Sequence, residues 1–294
     1  MIIVNVNGGL GNQMFQYALG RALSISKKIE LRLYVKEVVD RNDHNGFELD
    51  NVFNIKASIA TNKERKLVLG SRSSHKLIKL LRSKKLDFLR GDKYIVEKSF
   101  NYQSDIFDIV DDIFIRGFWQ SEKYFSKYRD AILKGLTFKT KFNEKNLATK
   151  KRIQSCTSVS IHVRRGDYIS NPSANKVHGV LDENYYKRAI DKLDIDGALF
   201  VFFSDDANWV KNHLAPIILN GDNFIVVDHN HANESYNDMR LMSLCKHNII
   251  ANSSFSWWGA WLNTNPNKII IAPKNWFSID KNTSDLIPQS WIQV

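Results

Sequence analysis

Short apolar runs alternate with glycine-rich or charged breaks along most of this chain. Ile2, Ile3, Val4 and Val6 read as a first strand over 2–6, followed by Gly8-Gly9-Leu10-Gly11. Met14, Phe15, Ala18, Leu19 and Ala22 then recur at helical spacing and predict a helix over 12–26. A second strand is expected over 29–35. This strand, glycine loop, helix and strand form the opening of a doubly wound α/β domain. Strands over 93–96 and 113–118 and a helix over 121–133 complete the first half.

Residues 139–151 are lysine-rich and poor in large apolar side chains. They are expected to form a linker and the start of a bridging helix. The alternation then restarts. Strands are expected over 158–163, 198–203, 224–227, 248–250 and 268–271, and helices over 182–193, 235–244 and 255–262. The expected class is α/β: two Rossmann-like, doubly wound domains, 1–150 and 151–294. They would face each other across a cleft, with strand C-termini lining it where α/β folds bind ligands.

Composition narrows this picture. The 294 residues are 43% hydrophobic and 12% aromatic, enough for two cores and against whole-chain disorder. Two cysteines suggest neither a disulfide framework nor a zinc cluster. That favours a cytoplasmic setting, consistent with the absence of a signal-type N-terminus or a transmembrane-length apolar run. The formal net charge is +11. Such a balance suits nucleic acid, an anionic membrane surface or phosphorylated substrates. Ten Lys and Arg against Glu64 and Asp87 fall between Lys63 and Arg90. Leu77, Ile78, Leu80 and Leu81 are expected on one side of a short helix there, ringed by Lys76, Lys79, Arg82, Lys84 and Lys85. A basic amphipathic helix reads as a peripheral contact with an anionic membrane, and a solvated face is the plain alternative.

Chemistry concentrates in four places. His162-Val163-Arg164-Arg165-Gly166-Asp167 ends the apolar strand 158–163 with two guanidiniums. Arginine offers a planar fork that matches phosphate oxygens. Strand alternation puts His162 and Arg164 on one face and Arg165 on the other, so one arginine can meet a ligand while the other pairs with a carboxylate such as Asp167. Ser204-Asp205-Asp206 follows the next strand, where a carboxylate can accept from a guanine edge or cap a helix. Asn252-Ser253-Ser254-Phe255-Ser256 opens a helix whose N–H groups and hydroxyls suit a phosphate. Trp257 and Trp258, next in the chain, read as packing. Gly8-Gly9-Leu10-Gly11-Asn12-Gln13 allows close backbone approach before a helix. As a dinucleotide fingerprint it is poor, because Met14 stands where a third glycine belongs, although Glu30 keeps a nicotinamide-dependent oxidoreductase as an alternative. A non-enzymatic anionic-surface binder is the other alternative. It leaves the 162–168 and 252–258 blocks unexplained.

Taken together, four blocks resemble the bacterial α-1,2-fucosyltransferases. They are Gly-Gly-Leu-Gly-Asn-Gln-Met-Phe-Gln-Tyr-Ala at 8–18, Gly117-Phe118-Trp119-Gln120 with Tyr124-Phe125, His-Val-Arg-Arg-Gly-Asp-Tyr at 162–168, and Asn-Ser-Ser-Phe-Ser-Trp-Trp at 252–258. The resemblance spans nearly the whole chain. It implies a GT-B fold with the donor, GDP-fucose, held mainly by the C-terminal domain. It implies inverting, metal-independent transfer to the 2-hydroxyl of a galactose residue, with no cofactor. Arg164 would contact the β-phosphate, His162 would lie near guanine or ribose, and Arg165, Ser204 and Asn252 would complete the donor pocket. Asp205 or Asp206 would read guanine, and Ser253, Ser254, Phe255 and Ser256 would meet the phosphates. Asp167 is the candidate base. Gly9, Gly11, Asn12, Gln13, Trp119 and Gln120 would face acceptor or fucose. The acceptor implied is a galactose-containing surface oligosaccharide, lipid-linked in some members, reached from the cytoplasmic side of the inner membrane.

Overall fold

The computed structural model describes residues 1–41, 45–81, 83–109, 112–219, 221 and 223–294, with backbone alone at 75, 76, 79, 84, 85 and 87. The chain divides into two compact units, Met1–Lys139 with Thr283–Leu286, and Thr140–Asn282 with Ile287–Val294.

The first unit is built on strands β1 (Ile2–Asn5), β2 (Leu31–Tyr34), β3 (Ser58–Ile59), β4 (Tyr94–Val96) and β5 (Ile113–Arg116). They form one parallel sheet in the order β3-β2-β1-β5-β4. Ile3 and Phe114 are wholly buried, as continuous apolar strands must be when a sheet is covered on both faces. Helix α1 (Leu10–Lys27) follows β1 and buries Met14, Phe15, Ala18, Leu19 and Ala22, the residues whose spacing predicts it. The segment expected as one helix over 121–133 is instead two 3-10 turns, Glu122–Tyr124 and Ser126–Tyr128, then a helix Arg129–Gly135. Tyr124 and Phe125 are both buried and adjacent in sequence, and the backbone breaks at Phe125 to direct both rings inward.

The basic stretch also departs from its expected form. In the helix His75–Leu80, Ile78 is buried while Leu77 and Leu80 are exposed; Leu81, just beyond it, is buried. The four apolar residues therefore divide between two faces. Ile78 and Leu81 pack with Tyr34, Tyr94 and Phe114 in the core. The side chains of Lys76, Lys79, Lys84 and Lys85, and residue Arg82, lie outside the described set.

The second unit holds β6 (Ser158–Val163), β7 (Leu199–Ser204), β8 (Phe224–Val227), β9 (His247–Ile249), β10 (Ile270–Ala272) and β11 (Ile292–Gln293). Its parallel sheet runs β11-β10-β9-β6-β7-β8. The helix Glu144–Gln154 belongs here, so the division falls after Lys139 and not at 150/151. Its buried Ile153 packs against Phe142, Leu199, Val201 and Phe203. Trp257, Trp258 and Trp261 are buried, and Trp257 stacks on Trp261 with ring centroids 6.4 Å apart. Trp257 and Trp258 are packing residues, as their sequence context implied.

Candidate active site

In the second unit the chain leaves β6 toward β7 on one side and returns to its other side at β9. This reversal is a topological switch point, and open α/β sheets bind ligands beyond the strand C-termini at such a point. The C-terminus of β6 carries Arg164 and Arg165, that of β7 carries Asp205 and Asp206, and that of β9 leads into Asn252–Ser256. The topology thus brings three separate sequence blocks to one sheet edge.

Both arginines are paired. Arg164 Nη2 lies 2.6 Å from Asp167 Oδ1, and Nη1 lies 2.9 Å from Asp205 Oδ2. The same guanidinium sits 5.5 Å from the centre of the Tyr168 ring. Arg165 donates its backbone N–H to Asp205 Oδ1 (2.8 Å) and its Nε to Asp206 Oδ2 (3.1 Å). Its guanidinium stacks 3.6 Å over Trp209. The expectation that only one arginine would pair is therefore corrected. Alternation does separate the two, but each side meets a carboxylate. Arg165 is fixed into the wall; Arg164 keeps its Nε–H and one hydrogen on each terminal nitrogen for another acceptor.

Asp205 accepts from both arginines, and Asp206 caps the turn that follows by accepting the Trp209 N–H (3.2 Å). Ser204 Oγ accepts the Asp206 N–H (3.0 Å). Gly166 is required here, because a Cβ would stand 2.7 Å from Asp205 Oδ2. His162 is buried, its ring centroid 5.8 Å from that of Phe255, and its Nδ1 has no hydrogen-bond partner. Burial, reinforced by the charge of Arg164, pushes its pKa down to about 3, so the imidazole is neutral.

Ser253 caps the helix Ser254–Trp261, its Oγ accepting the Phe255 N–H (3.3 Å). Ser256 is buried and donates weakly to backbone carbonyls of Ala251 and Ser253 (3.4 and 3.3 Å). Its hydroxyl is committed to the turn, while Ser254 and Phe255 are partly exposed at the helix N-terminus. Asn252 Nδ2 donates to the carbonyls of His178 (2.8 Å) and Trp276 (3.3 Å), leaving its buried Oδ1 without a partner. Sequence reading did not single out Tyr168 and His178 as a pair. Their rings stack 4.7 Å apart and 5° from parallel, and the Tyr168 hydroxyl donates to the Asn252 carbonyl (3.2 Å). Tyr168 lay inside a named block, but nothing in the sequence pointed to His178 ten residues on.

The candidate residues of the first unit gather at its own switch point, between β1 and β5. Gly8 has φ +76°, and a Cβ there would meet Asn12 at 2.7 Å. Gly9 precedes α1 as its cap without a side-chain bond, and Gly11 is buried in the first turn. Asn12 Oδ1 accepts from Gln120 Nε2 (2.6 Å). Gln13 is wholly buried. It donates to the carbonyls of Gly8 (2.9 Å) and Gly46 (2.8 Å) and accepts the Glu48 N–H (3.0 Å). Its amide tethers a loop, with both of its hydrogens committed to backbone carbonyls. Trp119 is also buried, at φ +56°, with its backbone N–H donated to Glu97 Oε1 (2.9 Å); the Phe118 backbone N–H goes to Oε2 (2.8 Å). Glu97, absent from the sequence reading, shapes this turn.

The glycosyl transferase family 11 model matches residues 54–294. The chain belongs to glycosyl transferase family 11. It is 35% identical to an α-1,2-colitosyltransferase of Escherichia coli, covering all of this chain and 99% of that protein. It is also 35% identical to the O-antigen biosynthesis glycosyltransferase WbnK of Escherichia coli, covering 98% and 99%. A crystal structure of the α-1,6-fucosyltransferase NodZ soaked with GDP-fucose aligns with TM-score 0.54 at 15% identity, over 89% of this chain and 92% of that one. The fold of this family 11 enzyme is GT-B. Membership removes the reason for reading its glycine loop as a nicotinamide site. Among the described residues no helix is long and apolar enough to cross a membrane.

Proposed function

We propose that this family 11 enzyme transfers L-fucose from GDP-β-L-fucose to the 2-hydroxyl of a galactose residue in a surface oligosaccharide such as an O-antigen unit. The product would be an α-1,2 linkage formed with inversion. The observation that carries the reading is Arg164: a guanidinium held by two carboxylates at a switch point, with donors to spare. As the fucosyl–oxygen bond breaks, the sugar approaches an oxocarbenium ion and negative charge grows on the departing diphosphate. A preorganised guanidinium opposes that charge without reorganising, which is where it lowers the barrier most. Arg164 is assigned to the β-phosphate and neutral His162 to guanine or ribose. The N–H groups opening the helix at Ser254 are assigned to the phosphates. Asp167 is the candidate base for the acceptor hydroxyl, and the switch point of the first unit is assigned to the acceptor. No metal or cofactor takes part in this scheme.

The whole-length similarity to a colitosyltransferase favours a second reading, in which the donor sugar is colitose, the 3-deoxy counterpart of fucose. One experiment separates them. The purified enzyme is incubated with GDP-fucose or GDP-colitose and a panel of short β-galactosides in EDTA, and the product linkage is determined by NMR. Fucosyl-α-1,2-galactoside is expected. Preferred use of GDP-colitose would move the assignment to the second reading, and transfer to neither galactose nor position 2 would overturn both.

A further inference from the structure

The first unit presents an apolar surface that its own core does not use. Leu67 is 70% exposed, Leu77 40%, Leu80 52%, Phe88 79% and Leu89 43%. Five of the twelve exposed large apolar side chains among the described residues thus fall within 67–89, under a tenth of the chain. Single exposed apolar residues are ordinary on a surface, but this stretch carries five of them within 23 residues.

The described residues of the segment are tied down by hydrogen bonds and core packing. Buried Arg90 donates Nε to the Leu81 carbonyl (2.7 Å) and Nη2 to that of Ser83 (3.0 Å). Arg72 Nε donates to the Leu89 carbonyl (3.0 Å). Val68, Leu69, Ile78 and Leu81 anchor the inner side in the core. The outward leucines and Phe88 are therefore held out on a scaffold, each at the entropic cost of an ordered exposed apolar group.

Charge identifies the occupant. Ten Lys and Arg against two acids between Lys63 and Arg90 leave +8 of the chain's +11 in 28 residues. Lys63, Lys66 and Arg72 are exposed. We propose that residues 63–90 dock this enzyme on an anionic lipid surface, with Leu77, Leu80 and Phe88 entering the boundary between headgroups and acyl chains. The basic side chains supply attraction, since each Lys or Arg near such a surface multiplies partitioning roughly fivefold. The apolar side chains supply depth, as in helices that lie in the interface plane. A lipid surface answers both features together. This inference is independent of donor and acceptor chemistry.

The full chain is sedimented with vesicles of phosphatidylcholine alone or mixed equally with phosphatidylglycerol, at low and at high salt. Binding is expected only to the mixed vesicles and is expected to weaken at high salt. Leu80→Ser with Phe88→Ser should lower it at least tenfold, and Lys63→Gln with Lys66→Gln severalfold, with thermal unfolding unchanged in both. The proposal is overturned if the chain ignores the mixed vesicles, if it binds phosphatidylcholine equally, or if both double variants bind like the parent. It is also overturned if sedimentation equilibrium shows that Leu80→Ser with Phe88→Ser abolishes a dimer while vesicle binding is absent, since the patch would then be covered by a second copy.

Discussion

Arg164 and Asp205 meet at 2.9 Å across the ends of neighbouring strands β6 and β7, and the other oxygen of Asp205 holds the Arg165 backbone N–H. Asp205 therefore aims Arg164 while locking the turn beneath it. Arg164→Ala should lower kcat by about 10²–10³, the usual loss for one preorganised donor at a developing anion. Arg164→Lys should recover little, because an ammonium lacks the fork. Asp205→Ala should cost less, roughly tenfold. The double variant should be no worse than Arg164→Ala, because the two act through one group. Steady-state kinetics of the parent and the four variants checks this. Additive losses would mean that Asp205 acts on its own account.

The cluster around the proposed diphosphate site holds two guanidiniums against three carboxylates, Asp167, Asp205 and Asp206. A diphosphate entering it competes with carboxylates for Arg164. Asp167 is the most exposed of the three, at 45%, so it is the one a phosphate displaces most cheaply. Asp167→Asn should tighten GDP binding a few-fold by calorimetry. If Asp167 also takes the acceptor proton, the same variant should lose about 10²-fold or more in kcat. Tighter GDP binding with an unchanged kcat would leave Asp167 as a positioning group for Arg164.

Both sheets and most of their strands were legible in the sequence, since buried parallel strands are continuous apolar runs and α1 repeats its apolar residues at helical spacing. Arg164, Arg165 and Asp205 were legible too, because charges at the end of a buried strand need a reason. Partner choice was not. Gln13 looked like a site residue on a glycine loop, yet its amide ties the Gly8 and Gly46 carbonyls and the Glu48 N–H together. Contacts across 35 residues leave no local pattern. The two faces of the helix His75–Leu80 were misjudged for a related reason: four apolar residues in five positions fit a helical stripe in either direction, and only the core packing decides.

The Gln13 network predicts a stability defect. Gln13→Ala would leave a buried N–H and two carbonyls unpaired, each at about 1–3 kcal/mol where water cannot enter. A loss of several kcal/mol is expected in urea unfolding, with GDP affinity of the surviving folded protein close to that of the parent. A variant as stable as the parent, with acceptor KM raised, would return Gln13 to the substrate.

Two buried groups set opposite pH limbs on stability. The His162 pKa is depressed from 6.5 to about 3 by burial and by Arg164. Its contribution is present above about 6.5 and is lost as pH falls toward and through 3. Asp238 moves the other way. Burial raises its pKa from 3.8 to about 7, against the opposing hydrogen bond from Asn230 (2.7 Å). Its contribution is present below about 4 and is lost as pH rises through 7. Asn230 also pairs with Asn146 (2.8 and 2.9 Å), whose Oδ1 lies 3.1 Å from His229 Nε2. Ionising Asp238 thus strains the network joining the helix Glu144–Gln154 to the residues after β8. Asp238→Asn keeps an acceptor for Asn230 and cannot ionise. Thermal unfolding followed from pH 4 to 9 should show the parent losing stability relative to the variant between about 4 and 7, with a constant difference above 7, while both keep the acid limb of His162. A variant whose stability tracks that of the parent from about pH 4 to 7 would show that Asp238 does not set this limb.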